Sequence, residues 1–140
     1  MNRHTLQVLE FYQVLEGVAR RASSELGRDR VMKLSPGSRP GPIQLELRRV
    51  GETATYLDRH RDWPVPPIPD ARTGLERLEL EGSVLDPKDL FTLGVLLSSG
   101  RELNEGLAEG ASELPSLQPL RERLHKDQES EKRIGKIVDK

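Results

Sequence analysis

The stretch that most constrains the fold of this chain is residues 85–110, which carry the longest uninterrupted helical pattern in the sequence. Asp86 can accept the first free amide hydrogens of a helix, and Pro87 suits the first helical position, where its missing N–H has no partner to lose. Leucines then recur mostly at three- or four-residue steps, at Leu90, Leu93, Leu97, Leu103 and Leu107. Gly94 and Gly100 leave room for the close approach of another helix. The stretch therefore predicts a long helix that packs against others on one side.

Composition favours helices throughout. Apolar residues make up 34% and charged residues 32% of the 140 residues, and only five residues are aromatic. A core built mainly from leucine suits amphipathic helices better than strands, which prefer β-branched and aromatic side chains. The chain has no cysteine, which excludes disulfides, thiolate zinc sites and a cysteine nucleophile. The absence of cysteine is compatible with a cytoplasmic location, which we expect. The apolar runs are only a few residues long, so we expect neither a signal peptide nor a membrane span.

The first third of the chain predicts two helices and a loop. One helix should run from Thr5 to about residue 21 or 22, with an inward face at helical spacing. That face comprises Val8, Tyr12 or Phe11, Leu15, Val18 with Ala19, and Ala22. A second, shorter helix should run from residue 24 or 25 to 34. Residues 35–42 contain three prolines and two glycines, which predict a surface loop.

A third helix should begin at Pro42 and end between residues 59 and 61. Its apolar residues alternate at steps of four and three, the narrow stripe of a helix packed lengthwise against others, namely Ile43, Leu47, Val50, Ala54 and Leu57. Residues 63–69 hold a proline at almost every second position, which predicts an extended connector. It could be anchored by burial of Trp63, Val65 and Ile68, or it could be a polyproline ligand for an SH3 or WW module.

The last part of the chain predicts further helices around the long one. Asp70 can cap a short helix that ends at residue 78 or 80, before Gly82. A closing helix should begin between residues 116 and 119, and its stripe resumes at Ile134, Ile137 and Val138 after the charged interval 126–133. The pattern reaches Lys140 without a capping glycine, which predicts a longer parent protein. Together these elements predict an all-α fold: one helical domain over residues 1–140, a bundle of about five or six helices with a Pro-rich extended connector.

Charge is distributed unevenly along the chain. Residues 1–61 carry 11 Lys and Arg against 7 Asp and Glu, residues 62–115 carry 4 against 11, and residues 116–140 carry 7 against 5. A basic first half can offer phosphate contacts without base specificity. The candidates for nucleic-acid contact are Arg20, Arg21, Arg28, Arg30, Arg48 and Arg49. Ordinary surface charge with neighbouring carboxylates is the alternative interpretation, and it stays open.

Reactive or metal-binding patterns are absent from the sequence. Asp58, His60 and Asp62 could be ligands, but on a continuing helix His60 points about 200° away from each aspartate. His4 and His125 stand alone in the sequence, and no serine lies in a nucleophile-elbow motif. The residues therefore predict no catalytic, cofactor or metal site in this segment.

Six segments taken in order resemble the second branch of the bacterial MutS family, whose members lack the mismatch-reading and connector domains and carry a C-terminal Smr nuclease domain. They are 5–15 (TLQVLEFYQVL), 22–27 (ASSELG), 52–57 (ETATYL), 68–72 (IPDAR), 82–90 (GSVLDPKDL) and 114–117 (LPSL). The resemblance covers nearly the whole chain. The loop 35–42 and the interval 127–133 depart from the family pattern.

The resemblance implies that this chain is the N-terminal core and lever segment of a homodimeric ATPase and endonuclease of the mismatch-repair family. Such proteins bind branched DNA, suppress homologous recombination, and are linked to the rescue of stalled ribosomes. ATP and Mg²⁺ would belong to the parent protein, because this segment has no GxxxxGK[ST] phosphate loop. The resemblance therefore implies a non-catalytic segment that contributes to dimerisation or DNA engagement, with no membrane contact. The alternative is a free-standing helical adaptor that binds a protein through the connector or the acidic middle.

Overall fold

The computed structural model describes residues 3–138, and within them it contains helices and no strand. Eight α-helices follow one another: α1 Arg3–Val8, α2 Phe11–Ala19, α3 Glu25–Met32, α4 Pro40–Arg59, α5 Arg72–Leu78, α6 Pro87–Glu109, α7 Gln118–Arg121 and α8 Gln128–Val138. A short 3₁₀ turn, Pro115–Leu117, precedes α7. The predicted all-α bundle is confirmed, with more helices than the five or six expected. Lys140 lies outside the described residues. None of the described helices is long and apolar enough to cross a membrane.

The long helix α6 is the centre of the packing, as the sequence predicts. The Asp86 carboxylate accepts the amide of Asp89 at 2.8 Å, and Pro87 occupies the first turn. Helices α5, α7 and α8 all pack against α6. On the α8 side, a Cβ at Gly94 would lie 2.9 Å from Cγ2 of Ile134. The predicted close approach at Gly94 is therefore confirmed, because only a glycine leaves room for this isoleucine.

The predicted first helix is divided in two. Its hydrogen-bond ladder ends near Leu9, and Glu10 adopts a left-handed backbone with φ of 52°, outside the helical region. Periodicity does not detect this break because both halves remain helical. The inward face is also narrower than predicted. Leu15 and Ala19 are buried and Phe11 is half-buried, whereas Val8, Tyr12 and Val18 are 68%, 41% and 50% exposed.

The connector from Trp63 to Ala71 has no regular secondary structure, as predicted, but its anchors differ. Trp63 is half-buried and Pro66 is buried, whereas Val65 and Ile68 are 53% and 40% exposed. A polyproline helix has three residues per turn, so positions 63 and 66 share one face and positions 65 and 68 another. The prediction that Val65 and Ile68 are buried is therefore wrong.

The small core lies where α4, α6 and the 3₁₀ turn meet. Tyr56, Leu107 and Leu114 are buried there, and four half-buried side chains pack around them, Trp63, Leu103, Leu117 and Leu124. Trp63 meets the Tyr56 ring edge-on at 5.4 Å between centroids. Two glycines of α6 and its end leave room for these two rings. A Cβ at Gly106 would lie 2.5 Å from Trp63 Nε1, and a Cβ at Gly110 would lie 2.9 Å from the Tyr56 ring.

Candidate functional site

An apolar groove of about 300 Å³ opens beside this core. Its walls come from α4, the connector, α6, the 3₁₀ turn, α7 and the segment after α7. They are formed by Thr53, Tyr56, Leu57, Trp63, Val65, Leu103, Leu107, Leu114, Leu117, Leu120 and Leu124. The Thr53 hydroxyl donates to the carbonyl of Arg49 at 2.8 Å, so it is engaged within the helix. Among the described lining residues there is no carboxylate, amine, imidazole or guanidinium, and the groove is suited to apolar side chains.

A second, more open groove of about 440 Å³ continues along α4. It shares Thr53, Leu57, Leu117 and Leu120 with the first groove and extends past Val50 and Ala54 toward Glu46 and Arg49. The two grooves together form one apolar channel between α4 and the 3₁₀ turn with α7. The side chains that line it are mainly apolar, so the channel is suited to apolar groups.

The α4 helix turns an unexpected face toward its own chain. Tyr56 is buried and Arg49, Glu52 and Thr53 are half-buried, at the spacing of one helical face. Two polar side chains of this face hold the 3₁₀ turn: the Glu52 carboxylate accepts the amide and hydroxyl of Ser116 at 2.9 and 2.6 Å, and Arg49 Nε donates to the Ser116 carbonyl at 3.3 Å. Sequence reasoning missed this contact because Glu52 and Ser116 are far apart in the chain.

The predicted apolar stripe of α4 is largely exposed instead. Leu47 and Val50 are each 66% exposed and Ile43 is 39% exposed; Ala54 is exposed and Leu57 is half-buried. At about 100° per residue, the stripe lies roughly 120° around the helix axis from the packed face. The prediction that the stripe packs within this chain is therefore wrong for its first four members. A surface helix usually buries its apolar side and exposes its polar side. In α4 this arrangement is reversed.

Four of the six candidate arginines lie on α3 and directly after α2, two helices that pack against each other. Arg20 and Arg28 line one cleft of about 290 Å³ between these helices. Arg20 Nε and Arg21 Nη1 donate to the carbonyls of Glu16 and Gly17 at 3.4 and 3.0 Å, which completes the end of α2. Arg28 and Arg30 are exposed on α3. Neither side chain forms a hydrogen bond or an ion pair with another described residue.

The two arginines of α4 are not part of this group. Arg48 is exposed, whereas Arg49 is half-buried and bonds Glu46 Oε1 at 2.6 Å as well as the Ser116 carbonyl. Because its guanidinium is already used to hold α4 to the 3₁₀ turn, Arg49 is a structural residue. Of the six candidate arginines, those that remain accessible are Arg20, Arg21, Arg28, Arg30 and, separately, Arg48.

Two of the three possible metal ligands, Asp58 and His60, have other side-chain partners. Asp58 Oδ1 lies 3.2 Å from Arg61 Nη2, and His60 Nε2 lies 2.9 Å from Glu113 Oε1. Hydrogen bonds from His60 and then from Arg59 lower the pKa of Glu113. Within residues 3–138, no group of three histidine, aspartate or glutamate side chains is placed to hold a metal ion.

Another ion cluster joins α3 to the start of α5. Arg72 Nε donates to both carboxylate oxygens of Asp70, at 2.8 and 3.0 Å, and its Nη1 reaches Asp29 at 3.2 Å. The hydrogen bonds that the Arg72 side chain donates to Asp70 lower the pKa of the Asp70 carboxyl to about 2. Asp70 also accepts the Arg72 amide, although the capping residue of α5 is Ala71. The ion pair between Asp29 and Arg72 therefore links α3 to the start of α5.

The fold and the grooves together define a class of protein: an all-helical segment with apolar grooves on its described surface. Relatives with known names narrow this class. An endonuclease MutS2 from Gemmatimonas aurantiaca is 35% identical over 109 residues, 78% of this chain and 13% of the relative. One from a Geobacillus species is 30% identical over 142 residues, 99% of this chain and 18% of the relative. A putative endonuclease MutS2 from Bacillus subtilis is 28% identical over 142 residues, which are 99% of this chain and 18% of the relative.

These similarities support a MutS2-related segment. The chain spans about 13–18% of the length of the curated relatives it matches. No protein-family model matches it, and no solved structure does.

Proposed function

We propose that this chain is a non-catalytic structural segment, the N-terminal core and lever region, of a longer MutS2-like ATPase and endonuclease. The parent would bear an Smr nuclease domain, use ATP and Mg²⁺, and work on branched DNA in the cytoplasm to suppress recombination, or act in stalled-ribosome rescue. On this proposal residues 1–140 are one helical unit, and their role is to pack against other parts of the protein and against a second subunit.

The observation that carries the proposal is the amount of surface left uncovered. The chain exposes 10869 Å², whereas a compact monomer of this length exposes about 7,300 Å². The surplus of about 3,500 Å² includes large apolar side chains on α1, α2, α4 and the connector. Soluble monomers rarely leave such extended apolar surface open to water. A segment that is covered by more protein accounts for this exposure.

The sequence supports the non-catalytic part of the proposal. Phosphoryl transfer needs a phosphate-binding loop and an acidic Mg²⁺ ligand, and the chain has no GxxxxGK[ST] motif. The groove beside the core is lined by apolar side chains and Thr53, whereas an active site needs polar groups that converge on a reacting atom. ATP hydrolysis and DNA cleavage would then belong to other domains of the parent.

The purified 140-residue chain provides the test. We expect no ATP hydrolysis above buffer, and we expect sedimentation velocity to show concentration-dependent association, because the apolar faces have no other partner in solution. Hydrolysis that copurifies with the chain and responds to its mutation would overturn the non-catalytic assignment. A monomer at every concentration would remove subunit association from the proposal.

The α2–α3 pair supports a second part of the proposal, direct contact with nucleic-acid phosphates. Arg28 and Arg30 on α3, and Arg20 and Arg21 directly after α2, are all exposed. Contacts to phosphates release counterions, so they give affinity that falls with salt and does not depend on base sequence. Arg48 is a more distant candidate, and the structural role of Arg49 makes it a poor one.

Neutralising Arg20, Arg28 and Arg30 together with glutamine should weaken binding of the chain to a branched DNA and make the binding less sensitive to salt. Each lost phosphate contact should reduce the slope of log K against log salt by about 0.9. Fluorescence anisotropy at several salt concentrations measures both effects. The matched control neutralises Arg123, Lys132 and Arg133, which are equally exposed on another part of the chain. Equal losses in both triple variants would count against a defined α2–α3 site.

A further inference from the structure

The larger helix–helix contacts of the described chain fall into two sets. Helix α2 packs against α1 and α3, whereas α4–α8 and the 3₁₀ turn pack among themselves. No described helix of the first set packs extensively against a helix of the second. A region with few contacts to its surroundings opens at a lower cost in free energy than the core does. Helices α1–α3, residues 3–32, therefore form an arm with its own packing beside the bundle of α4–α8.

The segment that joins this arm to α4 is open and irregular. Residues 33–39 are all exposed, and residues 34–39 have no regular secondary structure. No backbone amide of residues 35–39 donates a hydrogen bond to another described residue. The segment can therefore change its backbone dihedral angles without the loss of such bonds, and it is suited to act as a hinge.

One ion pair holds the arm to the bundle directly. Asp29 Oδ2 on α3 lies 3.2 Å from Arg72 Nη1 on α5. It is the only ion pair between α2–α3 and the described helices that follow. The two side chains are 46% and 51% exposed. Ion pairs between exposed side chains contribute little to stability and are weakened by salt. The arm is therefore held by a contact that opens at low cost.

The surroundings of Arg72 lower the cost of breaking this pair. Its Nε donates to both carboxylate oxygens of Asp70, at 2.8 and 3.0 Å. Asp70 and Arg72 are two positions apart, so these bonds remain when Asp29 moves away. The Asp29 carboxylate accepts no hydrogen bond from another described side chain, and water can replace Arg72 at this half-exposed group. Opening therefore leaves no unpaired charge in a buried place.

We propose that residues 3–32 are a hinged arm, which pivots at residues 33–39 and is held closed by the Asp29–Arg72 ion pair. This inference concerns motion within the chain and does not depend on the proposed function. The arm carries Arg20, Arg21 and the two exposed arginines of α3. Its opening changes the direction in which this basic surface faces relative to the bundle. High salt favours the open arm because it screens the ion pair.

Single-molecule energy transfer between two dyes tests the hinge, and the chain has no cysteine that would interfere with labelling. Glu25→Cys on α3 and Glu76→Cys on α5 place the dyes at exposed positions of the arm and of the bundle. We expect Asp29→Asn to raise the ratio of open to closed molecules about two- to fivefold, the factor that corresponds to an exposed ion pair. Salt raised from about 0.05 to about 0.5 M should produce a similar rise in the chain with Asp29 and little change in the Asp29→Asn chain.

A second substitution and a matched control identify the ion pair as the cause. Arg72→Gln should give the same rise as Asp29→Asn, and the double variant should give no more than either, because both remove one interaction. Asp58→Asn is the control. It removes the same charge and breaks an exposed ion pair with Arg61 at 3.2 Å, but both partners lie on the bundle side of the hinge. It should leave the ratio unchanged, and circular dichroism should give equal helicity for all variants.

The possible outcomes decide between a hinged and a fixed arm. A single closed population that neither salt nor Asp29→Asn changes would overturn the hinge. An open population that responds to neither would overturn the role of the ion pair. Equal rises for Asp29→Asn and Asp58→Asn would also overturn it, since the cause would then be net charge. Single-molecule dilution keeps the chains apart, so none of these results depends on subunit association.

Discussion

Replacement of Leu114 by alanine is expected to lower the free energy of unfolding by about 2–4 kcal/mol, the larger of two stability effects that follow from this fold. Leu114 is only 1% exposed and lies between Tyr56 and Leu107 in the core. Truncation removes its buried methyl groups and leaves a cavity that neighbouring side chains fill only in part. Urea unfolding followed by circular dichroism measures the loss.

Leu80→Ala provides the matched control, since Leu80 is 65% exposed. This change should alter stability by no more than about 0.5 kcal/mol. Similar losses for the two leucines would mean that the junction of α4, α6 and the 3₁₀ turn is not the core of the folded chain. Both proteins should be compared at one low concentration, so that any self-association contributes equally.

Gly106→Ala is expected to destabilise the chain by about 1–2 kcal/mol, although alanine is the better helix former. The new Cβ would lie 2.5 Å from Trp63 Nε1 and 2.9 Å from two carbons of the same ring. Overpacking of this kind costs about 1–3 kcal/mol, and the gain in helix propensity returns only about 0.5–1 kcal/mol. The ring is not free to move away, because it packs against Tyr56. Urea unfolding again gives the difference.

Gly17→Ala is the corresponding control, since a Cβ at Gly17 has nothing within 4 Å. It should stabilise α2 by about 0.5–1 kcal/mol. A second comparison uses the Trp63→Leu chain, in which Gly106→Ala should cost less because the smaller side chain leaves room for the methyl group. An unchanged cost in that background would show that the clash with Trp63 is not the cause.

Much of the fold could be predicted from local sequence. Asp86 and Pro87 mark the start of α6 because the capping chemistry of a helix is contained in its first turn. The ends of α3 and α4 are also predicted to within two residues. The close approach at Gly94 could be predicted because a helix that lacks a side chain at one point offers a flat contact surface.

The orientation of the helices could not be predicted in the same way. Periodicity identifies the apolar stripe of α4 but not which neighbour covers it, and the chain instead packs the face with Arg49, Glu52 and Tyr56 inward. That choice depends on Ser116, more than sixty residues further along the chain. The connector shows a different limit: its large apolar residues predict burial of Trp63, Val65 and Ile68, but Pro66 is buried and Val65 and Ile68 are exposed.

The predicted nucleic-acid contacts stay a prediction. Four of the arginines predicted to contact phosphates lie on α3 and directly after α2, whereas Arg49 has a structural role. The apolar channel had no sequence signal of its own, because its leucines come from distant helices and each is an ordinary core residue by type. Six short segments in family order pointed to MutS-like proteins, and the comparison with named relatives supports a MutS2-related segment.

The position of Trp63 has a practical consequence. It is the only tryptophan in the chain, and its ring lies where the connector, α4 and α6 come together, half open to the apolar channel. Its fluorescence therefore responds to any ligand or helix that enters the channel, without an added label. A shift of its emission to shorter wavelength would accompany loss of water from the ring, so the protein carries an intrinsic probe of that channel.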